Sequence, residues 1–230
     1  MNELIEILKK EFSRSCKRDL KITAILDKVE AGLATYADAQ ELSVLVGKGL
    51  STSMLRYVTE DFFDGDNFTR EEAEALLTPM LEDAFERIST PTAQIQKTLN
   101  QKAGLGLNAQ KPGINQERLN GLCEKISSYP TYAESKWVLD RPVVNFCQNV
   151  VDESIKANAE FQYEAGLVPK IIRKPDSGAC KWCLELAGEY TYPNVPQDVY
   201  RRHEDCNCSV EYDPADGRKG RQNVWSKQWR

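Results

Sequence analysis

Histidine is nearly missing from this chain: His203 is the one imidazole in 230 residues. Chemistry that needs two imidazoles is thereby excluded, including the paired-histidine HExxH metalloprotease site. If His203 binds a metal, no histidine is left to act as a general base. Long apolar runs are missing too, so nothing approaches the roughly 20 residues of a membrane-spanning helix. The opening Met1-Asn-Glu-Leu-Ile-Glu6 carries acid where a secretory leader carries base, and no apolar segment of leader type follows. The expected starting compartment is therefore a cytoplasm, where thiols stay reduced. Acidic side chains outnumber basic ones by 35 to 30, a net charge of -5. That balance argues against chain-wide affinity for nucleic acid, which needs clustered Lys and Arg. Neither a membrane nor a small-molecule substrate is expected as a partner.

Cysteine is present, seven times, and its placement is uneven. Cys16, Cys123 and Cys147 each stand alone in a helical pattern and read as small buried hydrophobes. The other four crowd the C-terminal quarter. Cys180-Lys-Trp-Cys183 is followed, after a spacer of nineteen residues, by His203-Glu-Asp-Cys206-Asn-Cys208. Thiolate and imidazole suit tetrahedral zinc, and a C-x-x-C followed by a second Cys/His pair has the arithmetic of a zinc site. A redox dithiol is the competing reading, but no βαβ unit precedes the pair, and a dithiol has no use for the second cluster. Disulfides would need an oxidising compartment and would leave one thiol over.

Ahead of this region the chain reads as helices. Leu4, Ile5, Leu8 and Phe12 mark one face of a first helix; Leu20, Ile22, Ile25, Leu26 and Val29 mark a second, ending near Gly32. Thr35 with Asp38 and Thr69 with Glu72 have capping-box spacing. The first pair opens a helix in which Gly47 and Gly49 are expected to bend or split the pattern. The second opens one that Pro79 should kink or break, with a further helix from about Pro91 to Lys102. Asp64-Gly-Asp-Asn-Phe-Thr69 is a turn; Phe68 stands where a calcium loop wants an oxygen ligand, so calcium is not expected. Gly104-Leu-Gly106-Leu-Asn-Ala109 matches a dinucleotide-binding string, but a helix rather than a strand precedes it, and it reads as a flexible connector. Helix resumes near Asn115, and Thr131 with Glu134 caps the next. The last long helix begins at Pro142 and carries Val143, Cys147, Val151, Ile155 and Ala159 as a core stripe.

After Gly166 the pattern changes. Val168 to Lys174, Glu189 to Pro193 and Cys208 to Tyr212 read as short strands, with one helical turn at Leu184-Glu-Leu-Ala187. About fifty residues with so few large aliphatics can hardly bury a core of their own, so bound metal is expected to supply folding free energy. Cys180, Cys183, His203, Cys206 and Cys208 are five candidates for four positions, a surplus that favours a closed structural site over a catalytic one with an open position. The choice between Cys206 and Cys208 stays open at this stage. Lys181, Arg201 and Arg202 are the expected counter-charges to the thiolates. No catalytic set stands out. A deaminase would place H-x-E ahead of its P-C-x-x-C, the reverse of the order here. The last fourteen residues, Gly217 to Arg230, hold five basic residues, Trp225 and Trp229, and no acid. They read either as a solvated end or as an anchoring peptide for an acidic protein surface or DNA.

The order C-x-x-C, Leu186-Ala-Gly188, then H-x-x-C-x-C with a strand-like Ser209-Val-Glu-Tyr212 resembles the C-terminal part of the phage Mu F-like, or phage head morphogenesis, family. The usual family pattern is H-P-x-C-R-C; here Glu204 replaces the proline and Asn207 the arginine. The likeness spans about Val168 to Tyr212. It implies a minor structural protein of tailed-phage or prophage heads, made in the host cytoplasm and carried in the head interior. The implied partners are the portal and the capsid or scaffold proteins, with packaged DNA a further partner through the basic tail.

The expected architecture is mainly α: a helical domain over 1–166, a small α+β zinc-binding module over 167–214, and a basic tail over 215–230. The expected role is structural and non-enzymatic, in head morphogenesis or DNA packaging and delivery near the portal, with a structural zinc ion. The competing readings are a zinc-dependent enzyme or toxin of nuclease or deaminase type, and a nucleic-acid-binding zinc module using Lys170, Arg173, Lys174, Arg201, Arg202 and the tail.

Overall fold

A computed structural model describes residues 1–63, 65–203, 206 and 208–213. The basic tail, Glu204, Asp205 and Asn207 lie outside the described residues. The chain is mainly helical, with a small three-stranded antiparallel sheet near its C-terminus. The helices are α1 (Asn2–Arg18), α2 (Leu20–Glu30), α3 (Tyr36–Tyr57), α4 (Arg70–Lys102), α5 (Gln116–Ser127), α6 (Tyr132–Ser135), α7 (Arg141–Glu164) and α8 (Lys181–Glu185). The strands are β1 (Lys170–Lys174), β2 (Gly188–Thr191) and β3 (Ser209–Asp213), in the order β2-β1-β3.

Both capping boxes form: Thr35 and Asp38 open α3, and Thr69 and Glu72 open α4, each satisfying backbone N–H groups that a helix start leaves unpaired. Thr131, by contrast, makes no side-chain cap on α6. Three expected breaks do not occur. Gly47 and Gly49 lie within an unbroken α3. Gly47 is there because α7 passes so close: a Cβ on it would lie 2.9 Å from the Val144 Cα and 3.1 Å from the Cys147 Cβ. Pro79 and Pro91 both sit inside one continuous 33-residue α4. Each proline removes a helix hydrogen bond, but Leu76, Leu77, Met80 and Leu81 around the first, and Ile88, Thr92 and Ile95 around the second, are buried. Packing on both sides of each proline outweighs the local cost.

The loop after α4, expected to be flexible, is tied down. Asn158 of α7 accepts from the Gln110 N–H (2.8 Å) and donates to the Gln110 carbonyl (2.8 Å), and Asn100 donates to the Leu107 carbonyl (3.0 Å). The turn before α4 is pinned as well, with Asn67 donating to the Ile126 and Tyr129 carbonyls and the Phe68 ring tilted against Phe63 and edge-to-face with Tyr132.

Beyond residue 166 the secondary structure changes, but the core does not stop. Ile171 on β1, and Val210 and Tyr212 on β3, belong to the same buried cluster as the side chains of α1 to α7. Tyr212 meets Tyr36 of α3 edge to face, with centroids 6.1 Å apart. The sheet thus borrows apolar surface from the helical body, a support additional to any metal. Among the described residues, no helix is long and apolar enough to cross a membrane.

Candidate metal centre

The two arms of the expected site arrive from different elements. Cys180 is the N-cap residue of α8 and Cys183 lies in its single turn, which presents both sulfurs on one side. His203, Cys206 and Cys208 lie on the segment that leads into β3, and β3 pairs with β1 directly ahead of the C-x-x-C turn. The sheet therefore brings the two clusters together.

They converge on Cys183. The His203 Nε2 lies 3.2 Å from the Cys180 Sγ and 3.0 Å from the Cys183 Sγ. The Cys183 Sγ lies 3.7 Å from the Cys206 Sγ. Zinc–sulfur bonds of about 2.3 Å at tetrahedral angles imply a sulfur–sulfur edge of about 3.8 Å, close to that separation. Mixed nitrogen–sulfur edges of about 3.5 Å follow from the same bond lengths, so the imidazole sits slightly inside ligand spacing. Cys180, Cys183 and His203 form one group whose donor atoms all lie within 4.8 Å of one another; Cys183, Cys206 and Cys208 form a second. These clusters could hold a metal ion, and their sulfur-rich donor set fits a soft or borderline cation.

Burial and charge set the chemistry. Cys183, Cys206 and Cys208 are buried, while Cys180 is exposed. Backbone hydrogen bonding around Cys183 is the main influence lowering the Cys180 thiol below its ordinary value, against a smaller opposing effect of burial. Burial pushes the Cys183 thiol up to about 12, with Arg173 pulling the other way and Cys208 and Cys206 adding to the rise. A buried thiol so placed is neutral unless a cation compensates its charge. The remaining cysteines behave as packing groups: burial raises Cys16 and Cys123 to about 11 and Cys147 to about 12.

No family model, curated protein or solved structure matches the chain.

The surroundings differ from the expected ones. Arg202 makes no hydrogen bond to the sulfurs, although Cys206 and Cys208 act on its charge: it enters the body of the protein, where it pairs with Asp152 of α7 and donates to the Cys208 carbonyl (2.7 Å) and to Gln40 of α3 (2.9 Å). Lys181 and Arg201 lean on Glu185 and Asp198. The guanidinium that does reach the sulfurs is that of Arg173, whose Nη2 lies 3.6 Å from both Cys183 Sγ and Cys206 Sγ. Trp182 fills the space between Arg173, 5.5 Å over its ring, and His203, whose ring centroid is 5.8 Å away.

The described cations suggested for nucleic-acid contact have partners within the protein, while the tail lies outside the described residues. Arg173 and Arg202 are interior, while Lys170 and Lys174 pair across the strands with Glu189 and Glu211. Sequence reasoning also missed the polar ladder of α7. Asn145 donates to the His203 carbonyl (3.4 Å), Gln148 donates to the Cys206 carbonyl (3.1 Å), and Asp152 holds Arg202. The signal was there, since Asn145, Gln148 and Asp152 recur at helical spacing beside the apolar stripe.

Proposed function

We propose that the chain is a minor structural protein of a tailed-phage or prophage head, in which one structural zinc ion fastens the α8 turn to the segment that leads into β3. The zinc reading is carried by the contact of the His203 imidazole with both sulfurs of the C-x-x-C pair, with Cys206 at tetrahedral-edge distance from Cys183. On this reading Cys180, Cys183, His203 and Cys206 hold the ion, and Cys208 lies beside it against Cys183. Three thiolates and one neutral imidazole on Zn2+ make a closed four-ligand site. Bound there, the ion supplies cross-linking rather than a reactive water. The donor surplus and the burial of three of the sulfurs support a structural rather than catalytic use.

The head assignment rests on the order of motifs from Val168 to Tyr212 described above. Portal, capsid and scaffold proteins are the partners it entails, with the virion head interior as destination and the host cytoplasm as the place of assembly. The test has two parts. Elemental analysis of the reduced, full-length protein is expected to give one zinc per chain. The protein is expected to co-purify with a portal protein and to be detected in procapsids or virions. Absence of stoichiometric metal overturns the zinc reading, and absence from particles and procapsids alike overturns the head assignment.

A further inference from the structure

Arg173 is 1% exposed, the largest of the fully buried side chains. A guanidinium is never neutral in a protein, and an uncompensated buried charge is costly. Among the described residues no carboxylate partners it. Its Nη1 donates to the Val199 and Arg201 carbonyls, its Nη2 points to the sulfurs of Cys183 and Cys206 at 3.6 Å each, and its Nε finds no partner. Carbonyl dipoles and the Trp182 ring face solvate a cation but do not neutralise it. The two sulfurs are the groups in contact that can become anions.

We infer that Arg173 is the built-in counter-cation of the metal centre, a positioning residue that holds the Cys183 and Cys206 sulfurs as metal-bound thiolates. The inference rests on the zinc reading above. Its charge arithmetic is simple: three thiolates on Zn2+ leave a formal charge of -1, and one guanidinium brings the buried assembly to zero. The geometry adds to this. One Nη2 shared between two sulfurs fixes their separation from the outside, as a hydrogen-bond donor behind metal ligands does elsewhere. The Nη1 contacts tie the same cation to Val199 and Arg201, just ahead of His203, so one side chain spans both arms of the site. β1 places it there: Arg173 pairs with Val210 of β3 and with Gly188 of β2.

The test compares the full-length wild type with Arg173→Met and Arg173→Lys. Zinc affinity is measured by competition with a chromophoric chelator, and urea stability is measured with and without zinc. Arg173→Met is expected to weaken zinc binding about ten- to hundredfold, the usual effect of losing a group behind a metal ligand. It should therefore destabilise the zinc-loaded form more than the metal-free form. Arg173→Lys, which keeps the charge but loses the forked donor, is expected to fall between the two. Equal destabilisation of both forms with affinity unchanged would mean that Arg173 only ties down the Val199–Arg201 segment, and would overturn the inference. If Arg173→Met fails to form the sheet in either state, Arg173→Lys decides: weaker binding supports the inference and wild-type affinity overturns it. A wild type that binds no zinc overturns the zinc reading itself, a result distinct from either.

Discussion

Arg202 grips Asp152 with two nitrogens: its Nε lies 2.5 Å from one carboxylate oxygen and its Nη2 2.7 Å from the other. The side chains are 3% and 0% exposed, and Gln40 completes the arrangement by donating to Asp152 (2.9 Å) while accepting from Arg202 (2.9 Å). This contact locks the segment next to His203 onto α3 and α7. Removing one partner strands the other charge in the interior. Asp152→Ala is therefore expected to lower unfolding free energy by about 3–5 kcal/mol. The double change Asp152→Leu with Arg202→Met should recover much of that loss, because no charge is left behind. Urea denaturation of the three proteins checks this, and a single-mutant loss similar to the double would refute it.

The ligand assignment makes a separable prediction. Cys183 belongs to both donor groups, and its Sγ lies 3.7 Å from the Cys206 Sγ of the second arm. Cys183→Ser and Cys206→Ser should both lose zinc on gel filtration, whereas Cys208→Ser should keep it. Retention by Cys206→Ser together with loss by Cys208→Ser would exchange the roles of those two residues. Because Ile171, Val210 and Tyr212 remain rooted in the helical core, Cys183→Ser should loosen the region around α8 and raise its protease sensitivity while most helix persists.

Gly47 faces α7 with no room for a methyl group, since the Val144 Cα is the atom in the way. Backbone cannot step aside as a side-chain tip can. Gly47→Ala should destabilise by about 1–3 kcal/mol, the usual cost of overpacking, despite the better helix propensity of alanine. Thermal melting is the measurement, and an unchanged or raised Tm would count against this reading of the helix contact.

The thiols give the metal-free and metal-loaded forms opposite responses to pH. Burial raises Cys16 and Cys123 to about 11, and Cys147 and Cys183 to about 12, from an ordinary value of 9.0. Between these limits the folded chain keeps protons that the unfolded chain has released, so the raised values contribute stability fully present below the ordinary value and lost as pH rises through the folded values. Metal-free protein should thus weaken as pH rises above 9. Zinc needs thiolate, so its binding releases protons and its affinity should fall as pH drops. Denaturation of the metal-free form across alkaline pH, and zinc competition across acid pH, test the two signs separately.

Much of the fold could be read without coordinates. Apolar spacing and two capping boxes located α1 to α4, and alternation near the C-terminus located the three strands. The five candidate ligands were also identifiable, because cysteine and histidine in that spacing have few other uses. Local sequence failed where distant packing won. Pro91 was expected to begin a helix, yet it lies within α4 because its neighbours are buried on both sides. Arg173 looked like a surface cation and Arg202 like a counter-charge to the thiolates, since nothing within a few residues of Arg173 supplies its sulfurs and nothing near Arg202 supplies the Asp152 carboxylate.

The sequence by itself determined the helical periodicity, the two capping boxes, the strands and which cysteines and histidine are candidate metal donors, because each depends on residues a few positions apart. Tertiary structure alone decided that the two donor clusters meet at Cys183, that Arg173 backs two of the sulfurs, and that the polar face of α7 carries the loop holding His203. Those outcomes depend on how β1 and β3 pair and where the sheet lies on α3 and α7, and long-range contact of that kind leaves no period in the chain.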